Sequence, residues 1–189
     1  MNTPAHLILG LAAFGRPSDA KVTVAAGFGA LMPDLSLYLL VAGALAMGET
    51  PERIFRELYF SNTWQAIFAV DNSVFVYGAI VAVGLLLRRR WLLAFGGAAL
   101  LHVALDLPLH HDDGRPHFWP VSDWVYESPI SYWDMSHGAA WVAPLESALC
   151  LALGGWLLWR FRSWLMRAAI ALLLVAQLAV GGVWAVVFA

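Results

Sequence analysis

Residues 91–108, WLLAFGGAALLHVALDLP, form an apolar run that carries one histidine, His102, and one aspartate, Asp106. Three arginines at 88–90 precede the run, and Pro108 closes it, since proline does not continue a regular helix. A run of about 18 apolar residues is long enough to cross the hydrocarbon core of a bilayer. His102 and Asp106 are four residues apart and therefore share one helix face. The stretch predicts a membrane-spanning helix with two potential metal ligands.

The composition of the whole chain supports a membrane environment. Of its 189 residues 61% are hydrophobic and only 13% are charged, whereas a soluble domain carries about 25% charged residues. No basic stretch suggests nucleic-acid binding. The lone cysteine, Cys150, excludes an internal disulfide and a multi-cysteine metal site. The first fourteen residues contain no Lys or Arg, so we expect no cleavable signal peptide.

The pattern along the chain predicts an all-α, polytopic membrane bundle formed by a single domain, residues 1–189. An apolar stretch at 4–14 is too short to span and predicts a half-helix. Residues 50–60 predict an amphipathic helix with Thr50 as N-cap and Pro51 at the first position. About five transmembrane helices are expected, at 22–47, 72–87, 91–108, 138–159 and 164–188.

The basic residues orient these runs in the membrane. If each run spans once, most Lys and Arg fall on one side, while Arg53, Arg56 and Arg115 fall on the other. The positive-inside rule then makes the first side cytoplasmic and places the 49–71 and 109–137 loops outside. The basic residues assigned to the cytoplasmic side are Arg16, Lys21, Arg88, Arg89, Arg90, Arg160, Arg162 and Arg167.

Several ionisable residues fall within or at the ends of the apolar runs, where charge is costly and commonly functional. Counting about 1.5 Å per residue from the cytoplasmic end of each run places them roughly 14–24 Å up, in the outer half of the bilayer. A shared depth indicates a common partner. The residues are His6, Asp34, Asp71, His102, Asp106 and Glu146.

Neutral imidazole and carboxylate suit zinc, and also iron, nickel or manganese. We therefore predict a divalent metal, zinc first, held by His6, Asp34, His102 and Asp106. Asp71 or Glu146 would serve as a further ligand, as a support for a ligand, or as a general base. The loop at 109–137 would cover the site from the aqueous side and hold a second metal or a substrate head group. Its candidates are His110, His111, Asp112, Asp113 and His117.

Each prediction has a simpler alternative. His102 and Asp106 could be a hydrogen-bonded pair that joins two helices, and Asp34 could cap a half-helix after Pro33. His6 could be a packed or interfacial histidine. Glu146 could pair with the 109–137 loop or with the C-terminal helix. The His-His-Asp-Asp of that loop could be a solvated turn.

Four segments, TPAHLILG, GALMPDLSLYLL, LLHVALDLPLHH and HFWPVSD, resemble the bacterial inner-membrane metal-dependent hydrolase family, which is remotely similar to zinc-dependent phospholipase C. The resemblance covers roughly residues 3–123. It matches His6, Asp34, His102 and Asp106 to the family's pattern, and Trp119-Pro120 to its late motif. It implies a multi-pass protein of the bacterial inner membrane with a site on the periplasmic side.

The chain departs from that family at one motif. Where the family has Thr-His-Ser, this sequence has Asp71-Asn72-Ser73, so a ligand histidine is replaced by Asn72, or functionally by Asp71. We expect a metal-dependent hydrolase that acts on a phosphoester or ester of a lipid-like substrate at the outer leaflet. The alternative is a non-catalytic membrane subunit or assembly factor with a vestigial or structural metal site, docking a protein partner through residues 109–137. Ion or proton conduction is a third hypothesis, disfavoured because the cytoplasmic half lacks polar residues.

Overall fold

The computed structural model describes the backbone of residues 1–187 and the side chains of residues 1–180. It is a bundle of α-helices: α1 (Thr3–Phe14), α2 (Ala20–Ala46), α3 (Pro51–Arg53), α4 (Asn62–Asp71), α5 (Val74–Leu86), α6 (Arg90–Asp106), α7 (Ala139–Arg160) and α8 (Trp164–Val187). A π-helical turn, Ile54–Leu58, continues α3, and short 3₁₀ turns occupy Leu107–Leu109 and Met135–His137. The predicted helical membrane bundle is confirmed.

Four apolar helical segments in the described part of the chain are long enough to cross a membrane: Ala20–Ala46, Asn62–Leu86, Arg90–Leu109 and Ala139–Arg160. They correspond to the first four predicted runs. The fifth run corresponds to α8, of which the part with described side chains, Trp164–Val180, is apolar and shorter than the four candidate spans. Residue 188, where the predicted run ends, lies outside the described residues. Within the described part of the chain there are thus four membrane-spanning candidates and an apolar C-terminal helix, α8.

The second span starts earlier than the sequence predicts. Residues 62–71, which the sequence places in an outer loop, form α4, because the Ser61 side chain caps its N-terminus and Trp64 and Phe68 bury their rings. The helix then breaks at Asn72, and the Ser73 hydroxyl caps the start of α5. This break brings two polar residues to the inside of the bundle, where both are fully buried.

The half-helix α1 has a central position, since it packs against α2, α6, α7 and α8. Close approach of the helices depends on small residues, as the glycine-rich stretches at 27–29 and 96–99 predict. A Cβ on Gly29 would overlap the Phe95 carbonyl of α6, and one on Gly10 would lie 2.6 Å from the Ala30 Cβ of α2. These contacts hold α1, α2 and α6 close enough for their polar side chains to meet.

Candidate metal centre

Three buried residues converge where the N-terminal end of α1 meets the C-terminal end of α6. His6 comes from α1, and His102 and Asp106 lie one turn apart on α6; none is more than 4% exposed. One potential ligand atom from each residue lies within 4.8 Å of the other two. The three residues form a group that could hold a metal ion.

The orientation of His102 is set by the backbone of α2. Its Nδ1 lies 2.7 Å from the Ala30 carbonyl oxygen. A carbonyl oxygen only accepts, so Nδ1 carries the proton and Nε2 of a neutral ring carries a lone pair. Nε2 lies 3.1 Å from Asp106 Oδ2, yet it has no hydrogen-bond partner within the part of the chain that the structure describes. Such a nitrogen is oriented in the way that protein metal ligands commonly are.

His6 approaches the same carboxylate from α1. Its ring stacks on His102 with centroids 3.5 Å apart and planes 6° from parallel. Its Nε2 lies 2.8 Å from Asp106 Oδ1, which also lies 2.6 Å from the Met1 amine. Among the described residues, nothing hydrogen-bonds to the buried Nδ1 of His6. Each histidine therefore keeps one buried nitrogen that is unsatisfied by the protein.

Asp34, the fourth predicted ligand, lies next to these three residues. Its Oδ1 is 3.7 Å from His102 Nε2, and its Oδ2 accepts a hydrogen bond from the Thr3 hydroxyl. The exposed Tyr38 hydroxyl in turn donates to Thr3 Oγ1 at 2.8 Å. A chain of hydroxyl groups thus links the buried carboxylate to the bundle surface.

This donor set fits a divalent metal. Neutral imidazole nitrogens and a carboxylate are the ligands of many catalytic zinc sites. An unpaired polar group in a dry interior normally costs free energy, and an ion bound beside Asp106 would satisfy the buried Nε2 of His102. Zinc, iron, nickel and manganese are all compatible with these donor types.

The two residues predicted to support or complete catalysis lie apart from this group. Glu146 of α7 accepts hydrogen bonds from the Asn2 side chain at 2.8 Å and from Gln177 of α8 at 2.8 Å, which matches the alternative of pairing with the C-terminal helix. The Asp71 carboxylate contacts the Asn72 amide at 3.2 Å. The hydrogen bonds and ion pairs of Asp71 and Glu146 within the described chain do not involve His6, His102 or Asp106.

Asn72 is held in a structural network. Its Nδ2 donates to the Pro33 carbonyl at 3.1 Å, and its Oδ1 accepts from the Arg115 guanidinium at 3.1 Å. Its carbonyl accepts from His117 Nδ1 at 3.2 Å. Asn72 therefore connects the break in the second span to α2 and to the outer loop.

The outer loop contributes two of its five candidates to the metal centre. His110 lies 3.5 Å from Asp106 Oδ1 and 2.9 Å from Asp113 Oδ2. Burial by itself lowers the pKa of His110, but the Asp106 and Asp113 carboxylates outweigh burial and raise it to about 9. His110 therefore lies between the Asp106 and Asp113 carboxylates, and both favour its protonated form.

The other three candidates lie elsewhere. His111 hydrogen-bonds to the Ser128 carbonyl at 2.7 Å and stacks on His137. His117 binds Asn72, and burial lowers the pKa of its imidazole to about 4. Asp112 is exposed. The loop thus covers the centre through His110 and Asp113 alone among the predicted residues.

Sequence reasoning did not select Arg115 as a site residue. It is 5% exposed, lies 3.6 Å from Asp34 Oδ1, and donates to the Pro33 carbonyl at 2.8 Å. Its guanidinium also lies over the Phe68 ring. One signal could have found it: Arg115 breaks the positive-inside pattern, and unlike Arg53 and Arg56 it has no acidic residue four positions away on a helix.

Comparison with known proteins leaves the fold and this geometry as the basis for inference, because no family model matches the chain and neither a curated protein nor a solved structure is significantly similar to it.

Proposed function

We propose that the protein is a membrane-embedded, metal-dependent hydrolase whose ion is held by His6, His102 and Asp106. The observation that carries the proposal is His102 Nε2, a buried lone pair aimed at Asp106, oriented by Ala30 and left unpaired by the described residues. Six functional candidates from five helices would have no structural need to meet at one depth. Three of them meet here.

The ion, when bound, would supply Lewis-acid activation of water and of the scissile group. Two of the chain's own residues, Asp34 and His110, would provide a general base and a general acid. Asp34 accepts a hydrogen bond from the Thr3 hydroxyl, which in turn accepts one from Tyr38. Asp34 is therefore the nearest candidate for a general base, since hydroxyl groups connect it to the surface. His110 lies on the loop side of Asp106, 3.5 Å from its Oδ1, and is the nearest candidate for an acid.

Lipid is the environment that four long apolar helices require. The site lies near one end of these helices, and hydrogen bonds link it through Thr3 to the exposed Tyr38. This position favours a phosphoester or ester of a lipid-like substrate. With the basic residues on the cytoplasmic side, the site would face the periplasm of a bacterial inner membrane. Zinc is the first expectation for the metal.

Elemental analysis of the purified protein tests the proposal. We expect about one divalent ion per chain, and its loss in His102→Ala and Asp106→Asn. His137→Ala is the matched control, because His137 lies on the outer loop and pairs with Asp134 at 2.6 Å. Wild-type protein without stoichiometric metal after reconstitution with zinc, iron, nickel or manganese would contradict the proposal.

One observation favours a second candidate, a non-catalytic membrane subunit with a structural metal site. Asn72 replaces the family's histidine and is fully used in binding Pro33, Arg115 and His117. Hydrolysis of chromogenic phosphodiesters and fluorogenic lipid esters separates the two functions. If the protein purifies alone and His102→Ala abolishes a measurable hydrolysis, the subunit hypothesis fails.

A further inference from the structure

A cavity lies at the opposite end of α6 from the candidate metal centre. Its volume is about 490 Å³. It opens beside the turn between α1 and α2 and beside the first residue of α6, and Arg90 there precedes His102 by twelve residues, or roughly 18 Å of helix. The residues that matter for its chemistry are Arg16, Arg90, Arg160, Phe14, Val22 and Leu93.

Three separate elements each contribute one arginine to this cavity. Arg16 comes from the turn after α1, Arg90 starts α6, and Arg160 ends α7. No aspartate or glutamate is among the described residues that line it. Arg16 and Arg90 are exposed, and neither pairs with a carboxylate in the part of the chain that the structure describes. The lining therefore carries a net positive charge, and the nearby Asp19 carboxylate accepts a hydrogen bond from the Val22 backbone N–H.

Arg160 is fixed in place and makes the cavity a built feature. Its Nη1 and Nη2 donate to the Ala12 and Gly15 carbonyls at 3.2 and 2.9 Å. Its guanidinium lies over the Trp156 ring, 4.7 Å from the centroid. These contacts cap the C-terminal end of α1 and hold one positive charge at the wall of the cavity.

The remaining lining combines polar and apolar groups. Phe14, Val22 and Leu93 form its apolar walls. Arginine is the preferred side chain for phosphate, because its planar fork donates two hydrogen bonds to one anion. Basic pockets between membrane helices on the cytoplasmic side suit anionic head groups.

We infer that this cavity binds a phosphate-bearing anion, with the phosphate between Arg16, Arg90 and Arg160 and any attached chain along the apolar walls. The inference does not depend on the metal centre or on hydrolysis. An anionic phospholipid and a soluble phosphate compound both present the required group, so the experiment must distinguish these two sources.

The test compares two double variants that remove equal charge. Arg16→Gln/Arg90→Gln removes the two free arginines of the cavity, whereas Arg88→Gln/Arg89→Gln removes neighbours that do not line it. Native mass spectrometry would count phosphatidylglycerol retained by protein from mixed phosphatidylcholine–phosphatidylglycerol nanodiscs. Calorimetry in neutral detergent would measure inorganic phosphate and dihexanoyl phosphatidylglycerol.

We expect the cavity variant to bind at least ~10-fold more weakly, and the control to stay within ~3-fold of wild type. Binding of the lipid but not of inorganic phosphate would identify a lipid site, and the reverse a site for a soluble anion. Equal loss in both double variants, or no binding by wild type, would overturn the inference. If the cavity variant does not fold, Ala13→Trp, which places a bulky ring at the cavity wall and keeps every arginine, should weaken binding by at least ~10-fold in its place.

Discussion

His102 donates a hydrogen bond from Nδ1 to the Ala30 carbonyl across 2.7 Å, which joins α6 to α2 at the metal centre. This single contact fixes the tautomer of the ring and the direction of its free nitrogen. The proline three residues later, Pro33, lies inside α2 and helps to open its backbone to side-chain partners. Metal binding by this chain should therefore depend on residues that support the ligands as well as on the ligands.

Asp34 tests that dependence. Asp34→Asn removes the charge 3.7 Å from His102 Nε2 and should weaken metal affinity by roughly 10-fold or more, in the range seen for groups that support ligands. Competition with a chelating dye measures the change. Asp71→Asn, the same substitution at a carboxylate outside the centre, should leave affinity within ~2-fold. Equal effects of the two substitutions would show that Asp34 has no special relation to the ion.

Arg115 should be a major determinant of stability. Arg115→Gln removes buried charged hydrogen bonds to the Pro33 carbonyl and to Asn72. We expect a loss of about 2–4 kcal/mol, since breaking a buried charged interaction leaves its partners unsatisfied. Thermal unfolding in detergent provides the measurement. Arg53→Gln, on the exposed helix after residue 50, should cost less than ~1 kcal/mol, and a comparable loss there would argue against the prediction.

Gly29 should tolerate no side chain. A Cβ there would overlap the Phe95 carbonyl, so Gly29→Ala must separate α2 from α6, at a cost of about 1–3 kcal/mol. The same separation would lengthen the contact between His102 and Ala30 and weaken metal binding. Gly43→Ala is the control, because a Cβ there meets nothing within 4 Å. Gly43→Ala should be neutral or slightly stabilising. If Gly29→Ala melts at the same temperature as the wild type, the packing argument is refuted.

His117 should make stability depend on pH. Burial lowers the pKa of its imidazole to about 4, whereas an unfolded chain titrates near 6.5. Between about pH 4 and pH 6.5 the unfolded state binds more protons than the folded state. The free energy of unfolding therefore has its full value above pH ~6.5 and falls as the pH drops to about 4, by at most about 3 kcal/mol. Denaturation of wild type and His117→Gln across this range measures the difference. A wild-type curve that parallels the variant would disprove the assignment.

The sequence was sufficient for the bundle and for part of the site. Apolar run length and the H-x-x-x-D spacing predict α6 and its two polar residues, because both depend on local periodicity. Apolar length alone missed α4, whose first turn is polar and whose helix is defined by the Ser61 cap and by burial of Phe68. Local patterns carry no information on such tertiary contacts.

The same limit separates the site residues. His6 and Asp106 meet because α1 packs inside the bundle. The predicted depth of each residue along its apolar run indicates that the two share a level, but not that they touch. Depth does not give the direction in which a side chain points, so Glu146, at a similar predicted depth, binds Asn2 and Gln177 instead. Arg115 was not selected because its partners include a backbone group, the Pro33 carbonyl, which a residue pattern does not identify.

The break at Asn72 and Ser73 has a consequence for how the outside of the protein communicates with its interior. The outer loop attaches there through His117 and through the Ser73 hydroxyl, which donates to the Trp119 carbonyl, while Arg115 reaches the α2 backbone beside Asp34. If metal binding orders these contacts, loop order and metal affinity are thermodynamically coupled, and the coupling is reciprocal. A protease that nicks the loop would then act more slowly on the metal-loaded protein, and an antibody fragment that clamps the loop would tighten metal binding.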